Sequence, residues 1–212
     1  MILKIILSII ISYLIGAIPF SFIIGKMNGH DVRKEGSYNP GASNVLRVCG
    51  KKAGIFAYIL DIGKGIIAVF IPSIILSNII DTHSYILLIC AVSSILGHVF
   101  SIFLGFKGGK GVATSAGSMF MIAPISLLIT MIFFFIGLFI SKKTVAIGST
   151  FAAILFPVVL SFLYFKINFL YRIFFNINYI ILLPISILLA IFIIIKHIPN
   201  YRRIIEGREN KF

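Results

Sequence analysis

Apolar stretches separated by short polar segments follow one another along the chain. A helix needs about 20 residues to cross a hydrocarbon core of roughly 30 Å. Stretches long enough to do so lie at residues 2–25, 53–77, 84–105, 145–165 and 179–196. The first is longer than the core of a signal peptide and lacks the usual small-residue cleavage site, so we expect it to be a retained helix. The pattern predicts an all-α, polytopic integral membrane protein.

A further apolar region, residues 112–140, is too long for one untilted crossing and somewhat short for two. Pro124 lies in its middle, and a proline inside a helix removes a hydrogen bond and clashes with the preceding turn. We therefore expect two short helices around Pro124, and no comparable interruption in the other spans.

The distribution of charged residues favours two helices rather than one in residues 112–140. Lys and Arg number 19 against 6 Asp and Glu, a net charge of +13, and basic residues concentrate in cytoplasmic loops. An unsplit region 112–140 would place Lys142, Lys143 and the basic C-terminal segment outside, whereas the split places them inside. The sequence thus predicts seven transmembrane helices, with the N-terminus outside and the C-terminus cytoplasmic.

The amino-acid composition excludes several classes of protein. Hydrophobic residues make up 59% of the chain and the mean hydropathy is +1.11, more than a water-soluble domain of this length would hide in one core. In such a chain the basic excess indicates loops facing anionic lipid rather than nucleic-acid binding. Cys49 and Cys90 lack the spacing of a disulfide framework or a zinc site. We expect one membrane-embedded domain over residues 1–212, without a metal.

The first predicted cytoplasmic loop (residues 26–52) is dense in glycine and short polar side chains. Glycine admits a ligand close to the backbone, Ser and Asn offer short hydrogen-bonding groups, and an arginine fork matches two phosphate oxygens. We expect an oxyanion site that includes Ser37, Ser43, Asn44 and Arg47. The alternative is an ordinary turn-rich loop.

The second loop (residues 105–111) places two lysines among four glycines directly before an apolar helix. Backbone amides and the positive end of the helix dipole favour phosphate binding there. The candidate ligands are Lys107, Gly108, Gly109, Lys110 and Gly111. The segment is not a nucleotide P-loop, because a glycine stands where that motif has Ser or Thr. The alternative is a flexible basic loop at a membrane surface.

A third cluster, residues 197–209, follows the last apolar stretch. His197 can carry a proton near neutral pH and Asn200 offers an uncharged donor. The alternative is a basic flank that anchors a helix. The seven-helix topology places all three clusters on one face, where together they suit one or two phosphate groups. Their few carboxylates do not suffice for a two-metal site or a paired-carboxylate hydrolase.

Three polar residues lie inside apolar segments near these loops. Asp61 and Lys64 are three residues apart, close enough on a helix to pair, and we expect this pairing to be structural. His98 comes shortly before the second loop and either faces the site or serves packing.

The three clusters resemble the motifs of the bacterial integral-membrane glycerol-3-phosphate acyltransferases that use acyl phosphate, the PlsY family. The family pattern GS-x-N-x-GATN-x-x-R is matched at residues 36–47, with Ser43 where threonine is usual. The pattern GH-x-F-x-x-FL-x-FKGGKGVAT is matched at 97–114. The pattern H-x-x-N-x-x-RL-x-x-G-x-E is matched at 197–209, with Ile204 where leucine is usual. The hydrophobic layout agrees, so the resemblance covers essentially the whole chain.

The resemblance implies transfer of a fatty acyl group from acyl phosphate to the 1-hydroxyl of sn-glycerol 3-phosphate. The products are 1-acylglycerol 3-phosphate (lysophosphatidic acid) and inorganic phosphate, in the first step of bacterial phospholipid synthesis. It implies a multi-pass protein of the bacterial cytoplasmic (inner) membrane with its active site on the cytoplasmic face. By motif position, the catalytic residues are Ser37, Arg47, Lys110, His197 and Asn200, the phosphate loop contains Gly108, Gly109 and Gly111, and Glu209 is structural.

Acyl phosphate is an activated anhydride, so positioning and charge neutralisation can carry much of the rate enhancement. We expect Arg47 and Lys110 to hold the phosphates, while either His197 or a substrate phosphate accepts the hydroxyl proton. No cofactor and no nucleic-acid partner are expected, and the protein is expected to act as a monomer on its two substrates among membrane lipids. The rival hypotheses are a transporter of a small phosphorylated or anionic solute, with polar residues near mid-membrane in repeated halves, and a non-catalytic scaffold.

Overall fold

The computed structural model describes residues 1–76, 83–141, 144–166 and 179–209, and every regular element within these ranges is helical. This confirms the all-α prediction for the described part of the chain. The helices are α1 (Ile2–Ala17), α2 (Phe20–Met27), α3 (Ala42–Cys49), α4 (Lys51–Ile75), α5 (His83–Val99), α6 (Val112–Ile122), α7 (Pro124–Ile140), α8 (Val145–Lys166) and α9 (Tyr179–Ile205), with a 3-10 turn at Ile102–Leu104.

Several of these segments are long and apolar enough to cross a membrane, and α6 and α7 are shorter apolar helices. The long segments are Ile2–Met27, Lys51–Ile75, Tyr85–Leu104, Val145–Lys166 and Tyr179–Ile205. Large apolar side chains such as Phe70, Phe135 and Phe162 lie at least half exposed, as expected where lipid is the solvent. Seven crossings and their orientation remain predictions, and Lys142 and Lys143, used in that argument, lie outside the described residues.

The predicted break at Pro124 is confirmed. Helix α6 ends at Ile122 and α7 begins at Pro124, and Ala123 between them has the non-helical angles φ −142° and ψ 63°. A proline in the first position of a helix needs no N–H group there, so Pro124 starts α7 without loss of a hydrogen bond.

A second break, at Pro19, corrects the expectation of a continuous first helix and of a single interrupted span. Helix α1 ends at Ala17, and Ile18 has φ −56° and ψ 119°. This is the extended conformation that a following proline favours. The first apolar stretch therefore consists of two helices that meet at Ile18–Pro19.

The chain separates into two compact units, Met1–Met121 and Ile122–Phe212, and the expectation of a single domain stays a prediction. In the first unit, α1 packs closely on α5: a Cβ atom at Gly16 would lie 2.0 Å from the Ser94 carbonyl oxygen, and one at Gly97 would lie 2.2 Å from that of Tyr13. In the second unit, α7 packs on α8 through Gly137 and Gly148. Small residues allow this close approach, as is common between membrane helices.

Candidate active site

Asn44 on α3 holds the first loop in shape. Its side chain is fully buried. Its Oδ1 accepts a hydrogen bond from the Ser37 amide at 2.8 Å, and its Nδ2 donates to the carbonyl oxygens of Val32 at 2.7 Å and Glu35 at 3.0 Å. The donors and the acceptor of the Asn44 amide group thus serve the loop backbone, and the expectation that Asn44 binds phosphate stays a prediction.

The turn held by Asn44 carries Ser37. Gly36 and Tyr38 both have positive φ angles, 61° and 60°, and such a conformation is uncommon for a tyrosine. Strained backbone of this kind tends to occur at functional sites. Ser37 is half-buried between these two residues, so the turn presents a short hydroxyl side chain from a fixed backbone.

Ser43 and Arg47 lie on α3 four residues apart, and both are half-buried. Residues at this spacing share one face of a helix. The structure therefore keeps these two predicted ligands together, on the same short helix whose Asn44 side chain fixes the position of Ser37.

Several charged residues in the first part of the first loop pair with one another. Arg33 donates to both carboxylate oxygens of Asp31, at 3.0 and 2.9 Å, and Lys26 Nζ lies 3.2 Å from the same carboxylate. The Arg33 hydrogen bond holds the pKa of Asp31 well below its usual range. His30 Nδ1 lies 2.8 Å from Glu35 Oε2, a pairing that sequence analysis did not find.

The second loop rests on the end of α5. The Gly108 amide donates to the Val99 carbonyl at 2.9 Å. A Cβ atom at Gly108 would lie 2.0 Å from the His98 carbonyl oxygen, and one at Gly109 would lie 2.3 Å from His98 Nε2. No side chain larger than hydrogen fits at either position without a shift, so these glycines are required by packing.

The second loop leads directly into α6. Gly111 has φ +82°, a left-handed conformation that glycine adopts without strain, and α6 begins at the next residue. The first amides of a helix have no partner within the helix, and the positive end of its dipole lies there. Lys107 is exposed and Lys110 is half-buried beside this helix start, an arrangement suited to an anion.

A buried ion pair lies on α4 within the same unit. Lys64 Nζ is 2.9 Å from Asp61 Oδ1, and both side chains are almost fully buried, which confirms their predicted pairing. Two further contacts were not predicted: Ser21 donates to Asp61 Oδ2 at 2.6 Å, and Lys64 donates to the Ile18 carbonyl at 2.7 Å. Both partners lie at the break at Pro19: the Ile18 carbonyl is a backbone group that a continuous helix would use internally, and the Ser21 hydroxyl comes from the first turn of α2.

His98 connects this pair with the second loop. Its Nδ1 lies 2.9 Å from Thr114 Oγ1 and 3.8 Å from Asp61 Oδ1, while Thr114 Oγ1 lies 3.2 Å from the Asp61 carbonyl. A small pocket is bordered by residues of this cluster and of both loops, among them Ser21, Pro40, Asp61, Lys64, His98 and Gly109.

The second unit contains the third motif, at the end of α9. His197 is buried, and its Nδ1 donates to the Ile193 carbonyl at 2.8 Å, which places the ring proton on Nδ1 in the neutral form. Asn200 Nδ2 donates to Glu209 Oε1 at 2.8 Å, and Arg203 Nε donates to Glu209 Oε2 at 2.6 Å. Glu209 therefore orients Asn200 and ties the end of the chain back to α9.

Known proteins share the sequence pattern of this chain. A family model described as glycerol-3-phosphate acyltransferase matches residues 6–207. A protein of that name from Chlorobium phaeobacteroides is 41% identical over 95% of this chain and 93% of its own length. One from Aquifex aeolicus is 35% identical over 99% and 100%, and glycerol-3-phosphate acyltransferase 2 of Bacillus anthracis is 41% identical over 97% and 98%.

Solved structures share the fold. Crystal structures of PlsY, described as an integral membrane glycerol 3-phosphate acyltransferase, match with TM-scores of 0.78 for the glycerol 3-phosphate form and 0.76 for the lysophosphatidic acid form. Each is 34% identical over 98% of this chain and 95% of the PlsY chain. This chain belongs to the glycerol-3-phosphate acyltransferase family, and the resemblance seen in its motifs is confirmed.

Proposed function

We propose that this glycerol-3-phosphate acyltransferase takes its acyl group from acyl phosphate and forms lysophosphatidic acid and inorganic phosphate. The second loop is the observation that carries the proposal. Gly108 and Gly109 pack against His98 too closely for any side chain, and the helix start at Val112 follows within three residues. Backbone amides, a helix dipole and Lys110 together favour a phosphate group at this place, as both substrates require.

In the proposed reaction, the 1-hydroxyl oxygen of glycerol 3-phosphate attacks the acyl carbon of acyl phosphate. The new ester bond forms as the bond from that carbon to the phosphate oxygen breaks, and the phosphate leaves with the electron pair. Arg47 and Lys110 neutralise the phosphates, with Ser37, Ser43 and Lys107 as further ligands. Charge stabilisation of a leaving group in this way is commonly the largest contribution to such catalysis.

The hydroxyl proton needs an acceptor. One is His197, because its Nδ1 proton is held by the Ile193 carbonyl and its Nε2 is then unprotonated. The other is a substrate phosphate oxygen. Asn200, oriented by Glu209, supplies a neutral donor. A His197→Gln variant separates the two acceptors, since loss of the acidic limb of the pH profile indicates His197, whereas an unchanged limb indicates the phosphate.

The decisive experiment gives purified protein in lipid a palmitoyl phosphate donor and glycerol 3-phosphate, and measures phosphate release and lysophosphatidic acid. We expect turnover with acyl phosphate and none with acyl-coenzyme A. Turnover with acyl-coenzyme A alone would overturn the proposed donor. Arg47→Ala with Lys110→Ala should abolish activity, while Arg33→Ala, which removes an arginine already paired with Asp31, is the matched control and should retain it.

The remaining parts of the proposal concern the setting. We place the protein in the bacterial cytoplasmic membrane, with its site on the cytoplasmic face, as a monomer without a cofactor. Cysteine labelling from each side tests the orientation: a reporter at Ser37 should react from the cytoplasmic side. Reaction from the outer side would contradict the seven-helix topology. A covalent acyl-Ser37 species trapped during turnover would instead show that serine acts as a nucleophile.

A further inference from the structure

We infer that Asp61, Lys64 and His98 form a positioning cluster that sets the conformation of the second loop and thereby its affinity for phosphate. The inference rests on the proposed function of that loop. None of the three needs to touch substrate. The contacts run from the break in the first apolar stretch, through Asp61, Lys64 and His98, to the glycines of the second loop.

The first step of the chain of contacts fixes Asp61. Its Oδ1 pairs with Lys64 at 2.9 Å and its Oδ2 accepts from Ser21 at 2.6 Å, while Lys64 also donates to the Ile18 carbonyl. The carboxylate is thereby held between α4 and the break at Pro19. Desolvation offsets most of the attraction within a buried ion pair, so the pair is better suited to specifying geometry than to stabilising the fold.

The second step fixes the His98 ring. Thr114 Oγ1 lies 3.2 Å from the Asp61 carbonyl and 2.9 Å from His98 Nδ1. A hydroxyl has one proton to donate. When Thr114 donates to the Asp61 carbonyl, His98 Nδ1 is the donor to Thr114, and the orientation of the ring is tied to the position of α4.

The third step transmits that orientation to the loop. The Nε2 edge of His98 lies against Gly109, where a Cβ atom would be 2.3 Å away, and a Cβ atom at Gly108 would lie 2.0 Å from the His98 carbonyl oxygen. The imidazole ring therefore packs directly against the backbone of the second loop. A shift of the ring would leave Gly109 without that support, and misplacement of catalytic groups by about 1 Å reduces rates on the order of 100-fold.

A double-mutant cycle tests the contact between ring and loop. Gly109→Ala introduces the clash with His98 Nε2, and His98→Asn removes that edge while keeping a polar partner for Thr114. We expect each single variant to raise the KM for glycerol 3-phosphate by about tenfold or more, with a smaller fall in kcat. The double variant should have a KM well below the product of the two effects. Effects that multiply would show that the ring does not set the loop through this contact.

The remote link is tested with Lys64→Met and Ser21→Ala. Both should raise the KM for glycerol 3-phosphate and the inhibition constant of inorganic phosphate. Ser21→Ala is the smaller change, so it tests the link even if Lys64→Met does not fold. Ser12→Ala is the matched control, because Ser12 donates to the Ala68 carbonyl at 2.7 Å in the same helix layer. It should lower the melting temperature and leave KM unchanged. Variants of Lys64 and Ser21 that behave like Ser12→Ala would overturn the inference.

Failure of the proposed function gives a different result. If the wild-type protein does not turn over acyl phosphate, the donor assignment fails, but calorimetric binding of glycerol 3-phosphate and inorganic phosphate still reports on the loop in every variant. Wild-type turnover with unchanged binding in Lys64→Met and His98→Asn would overturn the positioning cluster alone.

Discussion

The two loops of the first unit hold their shapes by different means. In the first loop a buried side chain is the organising group: Asn44 bonds the backbone at Ser37, Val32 and Glu35. In the second loop the backbone itself is packed, because Gly108 and Gly109 lie against His98 without room for a side chain. Loss of the Asn44 side chain should therefore open the first loop, whereas the second loop should respond to an added atom at Gly108 or Gly109 as well as to loss of the His98 ring.

This difference has a consequence for function. A loop held by hydrogen bonds to one side chain can open when that side chain is lost, and keep its ligands Ser43 and Arg47 on α3. A loop that is packed against a helix end cannot accept a new atom without moving its backbone amides. A substitution that adds as little as one methyl group should therefore have its largest effect on activity when it lies in the second loop.

Gly108→Ala should have the largest effect. The added Cβ atom would lie 2.0 Å from the His98 carbonyl oxygen and 2.9 Å from that of Val99, and backbone atoms cannot move aside as a flexible side chain can. We expect kcat/KM for glycerol 3-phosphate to fall by about 100-fold. Gly63→Ala is the matched control, since a Cβ there meets no described atom within 4 Å, and alanine favours the helix. Equal effects of both variants would show that the loop is not tightly packed.

Asn44→Ala should have the next largest effect. It removes three hydrogen bonds, each worth about 1 kcal/mol, and leaves the carbonyls of Val32 and Glu35 without their partner. We expect a fall in kcat/KM of about tenfold and faster tryptic cleavage after Arg33, which reports loop opening. The control Asn28→Ala removes one amide hydrogen bond, to the Ile24 carbonyl. Unchanged cleavage in Asn44→Ala would contradict the role assigned to this side chain.

The end of α9 in the second unit provides another backbone segment held by a side chain. Glu209→Ala would release Asn200 and Arg203 together. We expect kcat to fall by about fivefold, because both side chains remain on α9 and lose only their common acceptor. Glu209→Gln keeps an acceptor and should lose less. Glu206→Ala is the control, because Glu206 pairs with the exposed Arg208. A loss with Glu206→Ala as large as with Glu209→Ala would show a general charge effect.

The breaks in the helices show how far sequence reasoning reaches. The break at Pro124 was predicted because region 112–140 did not fit one crossing. The break at Pro19 was missed because its stretch has the length of one span. A proline by itself does not predict a helix break, because other prolines lie inside helices, namely Pro72, Pro157, Pro184 and Pro199. At Pro19 a partner 46 residues away, Lys64, binds the Ile18 carbonyl, and such a tertiary contact has no local signal.

The candidate site shows the same limit. The motifs identified the loops as candidates because glycine, short polar and basic residues cluster there between apolar stretches, and the roles of their residues as ligands stay predictions. The pairing of Asp61 with Lys64 followed from helical spacing. The role of Asn44 could not be predicted, because an asparagine beside an arginine is equally compatible with a ligand contact and with a contact to the loop backbone. Which of these contacts forms depends on the tertiary fold, which brings Val32 and Ser37 close to α3.

The smallest effect should come from Asp31→Asn. Asp31 is ion-paired with Arg33 and Lys26, two cations whose side chains are exposed, and pairs with exposed partners contribute little. The Arg33 hydrogen bond lowers the pKa of the Asp31 carboxyl, so its contribution to stability is present above its ordinary pKa of about 4 and lost as the pH falls below it. Between pH 6 and 9, the carboxylate stays ionised.

We therefore expect wild type and Asp31→Asn to agree within about twofold in kcat/KM at physiological ionic strength, and to have the same pH profile above pH 6. Activity assays across this range, at low and at physiological salt, measure both. A difference well above twofold that shrinks from low to physiological salt would mean that the ion pairs, rather than the buried Asn44 amide, hold the first loop. Such a result would remove the contrast between the loops, because a loop held by surface charges would open and close with salt, whereas one held by a buried amide should not.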